Sequence, residues 1–393
     1  MIPLLIGIPA VLAVLFQFIR NEKARGYIVY AGAGIIMLTT VIFIVNWIDG
    51  GARAWMLYPE TELIDHLMVA GDIFLMCLII CLSVKYGKVL PIILSAVQTA
   101  LVLYTEFTAE VKEGPHMMVD WLTILMCIII AFIGGFICIY TVGYMKGYHN
   151  HHKEVKDRQP FFFSMLFLFL AAMFGLVLSQ NLVWIYFFWE ITSVISFLMI
   201  GYTRSDEAVS NSFCALWMNL LGGLGFAVAI ALMAQIHGTL QLLEVVNIGA
   251  LLPLMCLSLA GLTKSAQLPF STWLLGAMVA PTPSSALLHS ATMVKAGVYL
   301  LIRISPALEG NLVGIIVSSI GGLTFIMASM MAIAQNDAKK VLAFSTISNL
   351  GLIVACSGIG VEETVWAAVF LMIFHAVSKS MLFQSVGATE NTL

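Results

Sequence analysis

Charge is what this chain has least of. Only 10% of its 393 residues are Asp, Glu, Lys or Arg, against about 25% in soluble domains, and a mean hydropathy of +1.01 excludes a soluble globular fold. The net charge of −3, with no long basic run, excludes a nucleic-acid partner. Also missing from every loop are a phosphate-cradling glycine turn, a cysteine ladder for an iron–sulfur cluster and a nucleophile–base pair, so no cofactor site and no redox chemistry are expected in the chain itself. Its seven cysteines (Cys77, Cys81, Cys127, Cys138, Cys214, Cys256 and Cys356) all fall in apolar stretches, where a thiol behaves as a small hydrophobe. Cys77 and Cys81 share a helix face, but a metal would need a second pair nearby. The N-terminal run has its basic cluster after the apolar stretch and no small-residue cleavage site, the reverse of a signal peptide.

What is present is apolar sequence in lengths that cross a bilayer. A window of about 20 apolar residues gives an all-α polytopic membrane protein of about thirteen spans, at 2–19, 27–48, 66–84, 87–105, 119–144, 160–179, 182–202, 208–236, 250–279, 284–304, 311–334, 341–360 and 364–386. With the N-terminus outside, twelve of the eighteen basic residues fall in inside loops, from Arg20, Lys23 and Arg25 to Lys339 and Lys340, and only Arg53, Lys112 and Arg303 fall outside. That asymmetry follows the rule that Lys and Arg stay on the cytoplasmic side. The outside loops collect acids, among them Asp49, Glu60, Asp65, Glu106 and Glu362.

Three lysines remain inside the spans: Lys264, Lys295 and Lys379. A charge near the bilayer centre costs at least about 2.5 kcal/mol, so it needs a partner, a wet cavity or a task. Pro269 should break the long span at 250–279, with Lys264 just before the break, and broken helices at membrane depth serve transporters as ion sites. In the next span His289 and Lys295 are six residues apart, about 240° around a helix, so they read as successive stations rather than one spot. His375 and Lys379, at i and i+4, share a face. Glu190, in WIYFFWEITSVISFLMIGY, supplies a carboxylate that can pair with a buried lysine. Burial opposes the charged lysine and a nearby carboxylate restores it, so moving the carboxylate or its proton switches the lysine.

Other polar residues read more plainly. The HNHH at 149–152 lacks an evident carboxylate or thiol partner and reads as solvated; Asp72 stands near the end of its span, open to an interfacial or a functional reading; Asp120 opens its span and reads as a helix cap. The glycine pairs at 134–135, 222–223 and 321–322 read as sites of close helix contact.

The stretch TKSAQLPFSTWLLGAMVAPTPSSALLHSATMVKAGVYLLIR, followed by NDAKKVLAFSTISNLGLIVA and FHAVSKSMLF, resembles the antiporter-like membrane subunits of respiratory complex I, Mrp cation/proton antiporters and membrane-bound [NiFe] hydrogenases, from about Asp120 to Phe383. The resemblance implies inverted five-helix repeats, each with a broken helix, and a midplane chain of charged and histidine residues. It places the paired carboxylate on Glu190, the broken-helix lysine on Lys264, the linking histidine on His289, and the central pair on His375 and Lys379. Lys295 matches the hydrogenase and Mrp branches, where complex I usually has a neutral residue. The implied organisation is 1–118, N-terminal helices with an extra hairpin at 66–105; 119–159, a helix and cytoplasmic loop; 160–305, the first repeat; and 306–393, an incomplete second repeat.

Three departures stand out. Gly223 occupies a position where some complex I members carry an aspartate; the hairpin at 66–105 is absent from the shortest members; and the chain stops at Leu393, before the second broken helix, so it reads as a fragment. The expected function is a proton- or sodium-translocating subunit of a redox-driven complex in the cell inner membrane. Lys295, the hairpin and the SVGATEN segment lean toward an energy-converting (Ech-type) hydrogenase, with a nickel–iron site and iron–sulfur clusters in partner subunits of a peripheral arm and further membrane subunits alongside. A subunit of an Mrp-type sodium/proton antiporter is the alternative. A bare membrane scaffold leaves the buried lysines unexplained.

Overall fold

The computed structural model describes residues 1–57 and 62–390; Glu60 lies outside the described residues. The helices are α1 (Ile2–Phe16), α2 (Glu22–Asp49), α3 (Glu62–Lys85), α4 (Val89–Thr108), α5 (Trp121–Ile128), α6 (Gly135–His151), α7 (Gln159–Leu178), α8 (Leu182–Ile200), α9 (Asp206–His237), α10 (Leu242–Ile248), α11 (Leu251–Lys264), α12 (Thr272–Gly276), α13 (Thr282–Ser290), α14 (Met293–Ile304), α15 (Leu312–Ile333), α16 (Ala338–Ile359) and α17 (Glu362–Glu390). A π-helical turn over Ile129–Gly134 joins α5 to α6 in one span. Two short strands, β1 (Trp55–Leu57) and β2 (Met117–Val119), pair antiparallel with Trp55 opposite Val119.

Among the described residues, eleven helical stretches are long and apolar enough to cross a membrane, and the shorter apolar helices α1 and α11 stand at the other two expected spans. The ends are set by polar punctuation. Asn21, Asp120, Asn181, Ser205, Asn311 and Asp337 each cap the helix that follows by accepting a backbone N–H with the side chain, which satisfies a donor the first turn leaves unpaired.

Burial sorts the helices into a centre and a rim. The α13–α14 region is fully enclosed and α7 and α8 nearly so, whereas α3, α4 and α15 keep broad apolar faces outward. In a lipid solvent, outward apolar faces need no cover. Around the centre, α1 lies on α7, α9 on α8 and α11, α14 on α11, and α17 on α13 and α16. The extra hairpin α3–α4 packs on α8 and α9, so it is joined to the central bundle.

Two expectations change. The helix at 250–279 unwinds from Ser265, before Pro269, and resumes at Thr272. The span at 284–304 is also broken, at Ala291 and Thr292, where Thr292 leaves helical geometry (φ −127°, ψ −98°). The angular argument for His289 and Lys295 therefore fails, because no continuous helix joins them. The hydroxyl of Thr292 donates to the Leu287 carbonyl at 2.8 Å, which also accepts the Ala291 N–H at 3.3 Å, so the end of α13 is tied across the break. Of the glycine pairs, Gly322 faces open space rather than a neighbouring helix.

Candidate functional site

The polar groups inside the bundle form two clusters. The first sits at the α11 break. Lys264 is the last residue of α11, where the negative end of the helix dipole favours a cation. Its Nζ donates to the Trp189 carbonyl at 2.9 Å and to Ser193 Oγ at 2.7 Å, and it lies 4.7 Å from the centre of the Trp189 ring, within cation–π range. The unwound segment is held by its own hydrogen bonds. Ser265 Oγ donates to Gly261 O at 2.7 Å, Gln267 Nε2 to Ser265 O at 2.8 Å, and Trp273 Nε1 to Thr263 O at 3.0 Å.

Glu190, which follows Trp189 on α8, is buried, and among the described residues its carboxylate makes no direct contact with Lys264, so the two charges act on each other through space. The α8 geometry explains this. The lysine reaches the backbone of Trp189 and the hydroxyl of Ser193, while the Glu190 side chain leaves the helix toward α4 and α9. Its Oε2 accepts from Gln98 Nε2 at 2.9 Å. Glu190 Oε1 and Gln98 Oε1 both pack over Gly223, where an added Cβ would collide with the carboxylate and come within 2.8 Å of the amide oxygen. Glycine at 223 is thus the residue that leaves room for this pair, and an aspartate there would occupy the same space. Gln98 comes from the extra hairpin, and nothing in its sequence surroundings singled it out.

The second cluster lies where α14, α16 and α17 meet. Lys295 Nζ is 2.8 Å from His375 Nδ1 and donates to the Met372 carbonyl at 3.0 Å. Lys379, one turn further along α17, donates to Ser345 Oγ at 2.6 Å and lies 3.4 Å from the Leu342 carbonyl. His375 and Lys379 do share a face, yet they engage different helices. His289, fully buried, lies with its ring tilted 4.9 Å from the Phe383 ring, and neither of its ring nitrogens has a hydrogen-bond partner among the described residues. His289 and Lys295 therefore meet α17 about two turns apart, at Phe383 and His375, with Lys379 between. Ser193, Ser345 and Gln98 completed the two clusters without any signal in the sequence.

The remaining candidates fall outside the clusters. Asp120 caps α5 through Thr123 N at 2.9 Å and takes both terminal nitrogens of Arg303, one at 2.7 Å and one closer. Its place is structural, a fork-to-fork pair tying α5 to α14. Asp72 is buried against the bundle. In the HNHH loop His149 bonds Tyr202 OH at 3.2 Å and lies 3.5 Å from Asp157, whereas His152 turns to Glu154 at 3.2 Å, so carboxylates are near but the rings diverge.

This arrangement has counterparts among known proteins. The family described as NADH:quinone oxidoreductase/Mrp antiporter, TM, matches residues 179–392, more than half of the chain. The chain belongs to this family. A second description, the N-terminus of NADH-ubiquinone oxidoreductase (complex I) chain 5, matches residues 114–153. A Staphylococcus aureus protein named as an antiporter subunit, mnhA2, is 36% identical over 299 residues, covering 70% of this chain and 36% of that protein. The Mrp complex from Dietzia sp. DQ12-45-1b contains a chain 31% identical with a TM-score of 0.65, over 83% of this chain and 37% of that one. The archaeal membrane-bound sulfane sulfur reductase shares the fold at 20% identity and a TM-score of 0.64, over 84% of this chain and 72% of its own. The chain thus spans little more than a third of the length of the Mrp-type relatives it matches.

Proposed function

We propose that this antiporter-like subunit carries protons through the membrane as part of a larger complex. The observation that carries the reading is the contact of Lys295 Nζ with His375 Nδ1 at 2.8 Å, two titratable groups with no carboxylate between them, deep in an apolar bundle. Adjacent nitrogen bases can hand a proton to one another, and an amine that loses its proton leaves no buried charge behind. Sodium, in contrast, asks for oxygen ligands, and these two groups offer nitrogen. Lys264 is the loading group at the first break, with Glu190 as the carboxylate that modulates it, and Lys379 the group at the far end of the second cluster. His289 links the two. The basic loops, by the positive-inside rule, put the N-terminus outside and the loop at Lys339–Lys340 in the cytoplasm.

Identity to the Staphylococcus aureus antiporter subunit and to the Dietzia Mrp chain favours an Mrp-type sodium/proton antiporter as the host complex. An energy-converting hydrogenase is the second reading, favoured by Lys295 together with the α3–α4 hairpin; there a nickel–iron site and iron–sulfur clusters would reside in partner subunits. Purification of the native complex separates them. Sodium-dependent pH change in vesicles without nickel or iron–sulfur absorbance fits the antiporter, and stoichiometric nickel with iron–sulfur absorbance fits the hydrogenase. Reconstituted complex that moves no protons under either driving force would refute proton carriage itself.

A further inference from the structure

His289 is the one member of the relay whose two ring nitrogens both lack a partner among the described residues, and the helix that carries it begins at Thr282, beside Glu390 and its partner Lys339 of a basic loop. Along α13, Thr282, Ser285 and His289 are spaced three and four residues apart, which lines them up on one stripe. Ser284 and Ser285 are completely buried and their hydroxyls also have no partner among the described residues. From α6, which packs on α13, comes Tyr140, whose buried hydroxyl is likewise without a partner among the described residues and which packs with Thr282 against Gly387 of α17. A side chain at 387 would fill this space: an added Cβ would come within 2.7 Å of Thr282 Cγ2.

The stripe ends at an acid. Thr282 Oγ1 donates to Glu390 Oε2 at 2.6 Å, with the Tyr144 hydroxyl 3.4 Å from the same oxygen. The other carboxylate oxygen pairs with Lys339 at 2.8 Å, and the Glu390 side chain is 37% exposed. It opens on a cleft of about 570 Å³ bounded by Asp337, Lys339 and Ser385. Glu390 therefore touches solvent with one edge and the buried hydroxyl stripe with the other.

We propose that Glu390 is the cytoplasmic proton collector of this subunit and that Thr282, Ser285 and Tyr140 form the hydroxyl path from it to His289. Orphan hydroxyls in a buried row are what ordered water satisfies, and hydroxyls joined by water conduct protons while offering a metal cation too few fixed oxygens. Lys339 holds the carboxylate at the mouth. Thr282 is one turn from Ser285 and two from His289, so water between successive turns would complete the path. This inference rests on the proposed proton carriage and on the side assigned to the basic loops, and adds the route by which protons reach the relay.

The test uses the whole complex in proteoliposomes, with a pH jump imposed separately on each face and proton uptake followed by a trapped dye. Glu390→Gln should slow uptake from the basic-loop face by roughly 10²-fold, the low end of what a positioned proton-transfer group contributes, and lowering the pH on that face should restore the rate. Glu390→Asp should recover part of it. Thr282→Val, nearly isosteric, should slow uptake from the same face, and the double variant should be no slower than the slower single one, because the two act in series. Wild-type uptake by assembled Glu390→Gln complex across the pH range would overturn the proposal. Equal slowing from both faces, or a loss matched by loss of complex, would assign Glu390 a structural role and overturn it as well. If wild-type complex takes up no protons from either face, proton carriage itself fails; if Lys264→Met abolishes uptake while Glu390→Gln leaves it intact, only this route fails.

Discussion

Replacing Lys264 with Met removes one charge and little volume from the first helix break, and the structure allows the consequence to be worked out. Two hydrogen bonds from the ammonium disappear, to Trp189 O and Ser193 Oγ, at about 1.5–3 kcal/mol each for bonds to a charged group, with about 0.5–2 kcal/mol more for the lost cation–π contact. Against this, at least about 2.5 kcal/mol of cost for holding a charge in the bilayer is relieved. The abandoned acceptors are not orphaned, since Ser193 Oγ donates to Trp189 O at 3.1 Å and Thr192 Oγ1 donates to it at 2.7 Å. The net destabilisation is therefore about 5 kcal/mol at most, and assembled complex should be recovered. Transport should collapse, by roughly 10²-fold or more for a lost proton-transfer group. Lys264→Arg should fail as well, because a guanidinium does not release its proton in proteins. The assay is proton movement in proteoliposomes normalised to assembled complex. A Lys264→Met complex that translocates at the wild-type rate would refute the reasoning.

Three further outcomes are expected. Glu190→Gln and Gln98→Leu should each impair transport but combine non-additively, with a coupling of about 0.5–3 kcal/mol in a double-mutant cycle of rates, since both act through one carboxylate; additive losses would show that Gln98 acts elsewhere. Lys379→Met should leave complex abundance unchanged and stop pumping, whereas normal pumping with His375→Ala destabilising the complex would make that pair structural. Asp120→Asn should lower thermal stability in detergent by about 3 kcal/mol, the cost of stranding Arg303 without its partner, with transport per assembled complex unchanged; an unaltered melting profile would remove the ion pair's assigned role.

The spans, their number and the six titratable residues within them were legible in the sequence because each depends on local chemistry. About twenty apolar residues cross a bilayer whatever they pack against, and a lysine among them is conspicuous alone. Capping residues such as Asn181 and Asp337 act within three residues of themselves. Even the choice of glycine at 223 was visible, though not its cause. What only the tertiary structure decided are the partners. Gln98 reaches Glu190 across 92 residues and Lys295 reaches His375 across 80, distances over which hydropathy and periodicity carry no information. The sequence offered Glu190 as a carboxylate able to pair with a buried lysine, and the resemblance set it with Lys264; only the packed bundle shows that the lysine's hydrogen bonds go to a carbonyl and a serine hydroxyl and the carboxylate's to a hairpin amide. The break at Ala291 and Thr292 was equally hidden, since neither residue breaks a helix by itself. Local chemistry selects which groups are buried, and helix packing selects which of them meet.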